Sequence, residues 1–102
     1  MHKSPIGIFD SGVGGLTIYE EIHRLLPHEN IIYLADSKNA PYGEKSCEEI
    51  TRRVLTVFDF LNKQDVKCIV VACNTATAAS IQILRERFHF PIIGMEPAVK
   101  PA

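Results

Sequence analysis

Short apolar runs separated by longer amphipathic stretches are what most constrains this chain. Ile6 to Phe9, Ile31 to Ala35, Lys67 to Ala72 and Pro91 to Met95 each have the length and composition of a buried strand. Between them the period changes. Leu16, Tyr19, Ile22 and Leu26 recur at helical spacing until Pro27. Ile50, Val54, Phe58 and Leu61 mark one face of a second helix, whose start is signalled by Ser46 with Glu49 three residues on, a capping box. Ile81, Leu84 and Phe88 mark the inward face of a third helix, expected over 75–88. Strands alternating with helices build βαβ units, and right-handed crossovers leave few ways to arrange them. The expected fold is α/β: a doubly wound, flavodoxin-like parallel sheet of about four strands.

Composition narrows the class of function. The chain has 102 residues, 46% hydrophobic and 23% charged, which is the balance of a folded globular domain. A net charge of −1 provides no electrostatic case for nucleic acid or an anionic membrane surface. The longest apolar run, Cys68 to Cys73, is far below the roughly 18 residues of a transmembrane helix. Three cysteines without scaffold spacing read as reduced thiols, hence a cytoplasmic protein. The chain stops just past the fourth strand with no closing helix. Residues 1–98 are therefore expected to form one α/β domain, with 99–102 starting a crossover to a second domain that lies outside the chain.

In such sheets ligands bind beyond the carboxyl ends of the strands. That rule sorts the polar residues. Asp10 and Ser11 follow strand 1, the segment 36–43 follows strand 2, Cys73-Asn74-Thr75 follows strand 3, and Glu96 follows strand 4. His23, His28 and His89 fall near helix C-termini on the opposite edge, where a dipole favours them without any ligand.

Cys73 is the leading candidate for chemistry. It stands where strand 3 runs into a helix, and amide dipoles at a helix N-terminus favour the thiolate, making such a thiol a base or a nucleophile. The same turn offers N–H groups to a carboxylate or phosphate. A small buried cysteine closing a strand is the plainer reading. Asp10 and Ser11 precede a Gly-rich turn that is not a dinucleotide fingerprint, because Thr17 stands at the third position, and no Lys-Ser/Thr pair makes it a P-loop. Pro41-Tyr42-Gly43 reads first as a turn, yet a backbone N–H and the Tyr42 hydroxyl there suit a carboxylate. Lys38 reads as a solvated loop lysine, Cys47 as a surface thiol on the active rim, and Cys68 as a core residue at the far edge.

Three segments together resemble glutamate racemases: Ile6-Gly7-Ile8-Phe9-Asp10-Ser11-Gly12-Val13-Gly14-Gly15-Leu16-Thr17, then Ala35-Asp36 with Pro41-Tyr42-Gly43, then Val71-Ala72-Cys73-Asn74-Thr75-Ala76. Gly94-Met95-Glu96-Pro97 is also similar to the family. The resemblance covers essentially the whole chain but only the N-terminal part of such an enzyme. It implies a cofactor-independent isomerase with no metal, acting on glutamate and supplying D-glutamate for bacterial peptidoglycan, in the cytoplasm, as a homodimer. It implies that Cys73 is one of two thiols that meet the α-carbon from opposite faces, that Asp10 assists proton movement, and that Ser11, Pro41, Tyr42, Gly43, Asn74 and Thr75 hold the substrate. A planar carbanion reached from both sides needs two flanking acid/base groups. The family's second cysteine motif, a Cys-Thr-His segment, is absent from these residues, so the chain alone is expected not to racemise. Aspartate racemase is the sister reading. A non-catalytic carboxylate-binding module and a Cys-nucleophile hydrolase are the readings from other classes; the hydrolase lacks a rim histidine.

Overall fold

The computed structural model describes residues 4–10, 16–36 and 45–94. Its elements alternate strictly: β1 (Ile6–Asp10), α1 (Leu16–Leu25), β2 (Ile31–Ala35), α2 (Cys47–Lys63), β3 (Cys68–Val71), α3 (Asn74–Arg87) and β4 (Ile92–Gly94). The four strands form one sheet in the order β2-β1-β3-β4, and every pair is parallel. This is the expected doubly wound arrangement, with β1 central and the strand order reversing beside it.

The two faces of the sheet are covered unequally. On one, α2 and α3 bury a large cluster that includes Phe9, Val54, Phe58, Leu61, Ile69, Val71 and Leu84. On the other, Ile6, Ile8 and Val70 pack against Ile18, Tyr19 and Ile22 of α1, none of which is fully buried. β1 therefore has all five of its residues buried, as expected for a central parallel strand covered on both sides.

The helix signals correspond to real contacts. Ser46 Oγ accepts the Glu49 N–H at 3.2 Å, and the Glu49 carboxylate accepts from the Ser46 hydroxyl at 3.2 Å. Ile50, Val54, Phe58 and Leu61 are all buried, as their spacing requires. Glycine matters where α3 crosses β4: a Cβ on Gly94 would lie 2.7 Å from Thr77 Cγ2, so only glycine lets the helix approach this closely. His23, His28 and His89 are exposed at the far edge. Cys68, expected in the core, is only half-buried, because it opens β3 at the edge of the smaller cluster. Among the described residues, no helix is long and apolar enough to cross a membrane.

Candidate active site

Because every strand pair is parallel, the ends of β1, β2, β3 and β4 share one edge. The register places the site residues closely. Phe9 pairs with Val71, and the Ala72 N–H donates to the Phe9 carbonyl at 2.8 Å. Asp10 pairs with Ala35, and the Asp36 N–H donates to the Asp10 carbonyl at 2.7 Å. Asp10 thus stands at the rim between the residues that leave β2 and those that leave β3.

Cys73 is the N-cap of α3, with extended backbone at φ −148° and ψ 115°. Its Sγ accepts the Ala76 N–H at 3.4 Å, the contact that a serine or aspartate oxygen makes at most helix starts. Its carbonyl accepts from both the Thr77 hydroxyl, at 2.9 Å, and the Thr77 N–H, at 3.0 Å. The helix therefore starts one residue earlier than its sequence pattern predicts, at Asn74, because sulfur itself supplies the cap. An amide pointed at sulfur is a contact that strengthens when the sulfur carries charge. Cys73 is half-buried against the α2/α3 cluster, while Asn74 and Thr75 are exposed at the first turn.

Asp10 is only 3% exposed. The Tyr33 hydroxyl, carried on β2, donates to its Oδ2 at 3.2 Å. Tyr33 packs in the α1-side cluster, whereas Cys73 packs on the α2/α3 side. Asp10, held by Tyr33, and Cys73 thus stand at the same edge of the sheet, associated with its two different faces. Burial first, then the charge of Asp10 and its hydrogen bond, push the Tyr33 phenol above its ordinary value of 10.0.

A second buried carboxylate lies beside the first. Asp36, 4% exposed, accepts from Arg53 through both oxygens, Nε to Oδ2 at 2.8 Å and a terminal nitrogen to Oδ1 at 3.0 Å. This bidentate pair ties the end of β2 to the middle of α2. The sequence does not single out this arginine, because nothing in the spacing of charges along α2 marks which one turns inward. Tyr33 likewise reads only as part of an apolar strand. No local signal marks it, because its contact with Asp10 depends on the register that sets Tyr33 opposite Ile8.

Ser11, Lys38, Pro41, Tyr42, Gly43 and Glu96 lie outside the described residues. Cys47 is exposed and lines a groove of about 520 Å³ between α2 and α3, with Thr51, Leu55, Ala79 and Ile83. A smaller groove of about 270 Å³ is lined by Lys45, Glu49, Arg52, Arg53 and Thr56. Neither is lined by Asp10 or Cys73. Among the described residues, no group of three or more His, Cys, Asp or Glu could hold a metal ion.

Known proteins resemble this chain closely. It is 57% identical over 101 residues to a glutamate racemase of Methylococcus capsulatus, a match covering 99% of the chain and 37% of that protein. It is 52% identical over 102 residues to a glutamate racemase of Clostridium botulinum, covering all of the chain and 40% of that protein. The solved structure of Escherichia coli glutamate racemase with L-glutamate and the activator UDP-MurNAc-ala superposes at a TM-score of 0.88 and 46% identity, over 96% of this chain and 38% of that one. A Francisella tularensis glutamate racemase solved with D-glutamate gives 0.86 and 43%, over 90% of this chain and 35% of that one. The chain thus spans about two fifths of the length of the curated relatives it matches. The family model for Asp/Glu/hydantoin racemases matches residues 6–102. With the sheet, the rim and the capping cysteine in place, the chain belongs to the Asp/Glu/hydantoin racemase family.

Proposed function

We propose that this chain forms the N-terminal half of the active site of a glutamate racemase, interconverting L- and D-glutamate by proton transfer without a cofactor. The observation that carries the reading is the sulfur of Cys73 at the N-cap of α3, taking an amide N–H on the rim where Asp10 also stands. In the proposed reaction Cys73, as thiolate, takes the α-proton on one face. A second thiol, from the remainder of the longer protein, returns a proton to the other. Asp10 assists the transfer at Cys73. Ser11, Pro41, Tyr42, Gly43, Asn74 and Thr75 hold the amino and carboxylate groups, the last two through the start of α3, where amides and dipole suit an anion. Residues 1–98 make up the first domain and 99–102 lead into the second. The product serves peptidoglycan synthesis in the cytoplasm, and the whole enzyme acts as a homodimer.

The test is racemisation followed by circular dichroism of glutamate, together with proton–deuterium exchange at Cα in heavy water. The full-length enzyme turns over without pyridoxal phosphate. Its Cys73→Ala variant loses racemisation almost entirely, and Cys73→Ser fares nearly as badly because a hydroxyl is far less acidic. The isolated 102-residue chain, with one competent thiol and half a cleft, does neither reaction. Undiminished turnover in Cys73→Ala would remove Cys73 from the mechanism. Preference for aspartate over glutamate in the same assay would move the enzyme to the sister activity.

A further inference from the structure

The rim holds two buried aspartates in neighbouring positions, joined through the Asp36 N–H and the Asp10 carbonyl. They are treated differently. Asp36 receives a guanidinium in a bidentate pair, the arrangement that neutralises a carboxylate and fixes it for good. Asp10 receives the hydroxyl of Tyr33, which donates a hydrogen bond without supplying a positive charge. A buried carboxylate needs partners for its lone pairs. A neutral donor contributes to that need and fixes the carboxylate's direction.

We propose that Tyr33 is a positioning residue for Asp10, holding the carboxylate at the rim so that it can take part in proton transfer next to Cys73. The inference rests on the racemase reading above. The hydroxyl reaches Asp10 because the parallel register sets β2 directly beside β1, with Tyr33 opposite Ile8 and Ala35 opposite Asp10. The ring is held from its other side by Tyr19, with centroids 6.1 Å apart, and Tyr19 is stacked in turn on His23 at 5.9 Å. Among the described residues, the titratable groups against Tyr33 are Asp10 from β1 and Tyr19 from α1, with His23 stacked behind Tyr19. The phenol's upward displacement keeps the donor protonated through the neutral and mildly alkaline range. Arg53 and Asp36, by contrast, form a structural tie.

The experiment is made in the full-length enzyme. Tyr33→Phe keeps the ring and its stacking and removes only the donor. The expected result is a fall in kcat of about tenfold, the order of one hydrogen bond to a charged group, with KM for glutamate within about twofold. In an Asp10→Asn background the same change should cost no further activity, since the hydroxyl acts only through that carboxylate. A ring-difluorinated tyrosine at position 33 gives a second readout. It retains the hydrogen bond but ionises more easily, so the alkaline limb of kcat should move to lower pH. Wild-type kinetics in Tyr33→Phe, a rise in KM alone, losses that add to those of Asp10→Asn, or an unmoved alkaline limb would each overturn the role of Tyr33. Failure of the wild-type enzyme to racemise glutamate would instead overturn the function on which it rests.

Discussion

At the scale of single residues, the three cysteines differ in what surrounds them. Cys47 is exposed at the start of α2, whereas Cys68 is half-buried at the start of β3. Burial pushes the Cys68 thiol above its ordinary value of 9.0; Glu29 adds to the rise and Lys67, paired with Glu29, opposes it. Since the thiolate is the reactive form, iodoacetamide near neutral pH should label Cys47 well before Cys68, as mass spectrometry of timed samples would reveal. Equal rates would contradict the burial of Cys68. Tyr33 offers a stability test separate from its kinetics. Its folded-state value lies above 10.0, so the folded protein binds that proton more tightly than the unfolded chain does. The resulting contribution is intact below about pH 10 and declines as pH rises through the folded-state value. Urea unfolding at about pH 8 and about pH 11 should lose less stability between the two in Tyr33→Phe than in the parent. An equal loss would mean that Tyr33 does not titrate with folding. Cys73 was legible from residue order alone, because a strand ending in a polar pair is a local signal. The Tyr33–Asp10 contact was not. It depends on which residues of β1 and β2 come level, a register that chain order does not state.

The same division holds among the elements. Signals confined to one element, such as the Ser46–Glu49 box or the apolar face of α2, were readable because both partners lie within a turn of each other. Ser46→Ala should lower stability by about 1 kcal/mol in chemical denaturation, the usual cost of a lost N-cap oxygen. No measurable change would mean that the box adds nothing to packing already present. Contacts between elements were hidden. Asp36 reads as a polar loop residue, and its partner is Arg53, 17 positions along. Arg53→Met would take the guanidinium away from a buried carboxylate. The arginine side chain is 40% exposed, so the expected loss is roughly 2–3 kcal/mol, below that of a fully enclosed pair. Gly94 links packing to the site. A methyl there meets Thr77, whose hydroxyl and amide hold the Cys73 carbonyl. Gly94→Ala should therefore cost about 1–3 kcal/mol by overpacking and lower activity in the full-length enzyme as well. A variant as stable and active as the parent would show that α3 can shift without disturbing its cap.

At the scale of the whole molecule, the sheet's two covers are unequal. α2 carries five fully buried residues, Ile50, Val54, Val57, Phe58 and Leu61, while α1 carries none. In native-state hydrogen exchange, amides of α1 should exchange well before those of α2, since local opening there exposes little apolar surface. Equal protection would mean that α1 is held by more than the contacts described. The α/β class and strand count were legible because four apolar runs and three periodic stretches alternate without exception. The uneven cover was not, since α1 has the same periodicity as a well-buried helix. The strand order β2-β1-β3-β4 has a consequence for how the molecule is made. As the chain leaves the ribosome, β2 meets one bare edge of β1, β3 meets the other, and β4 meets the outer edge of β3. No ladder already formed must open to admit a later strand, which spares the chain one common route to kinetic traps. The ends of β1 and β3 that carry Asp10 and Cys73 come side by side once β3 has joined, a step that does not wait for β4 to add to the outer edge.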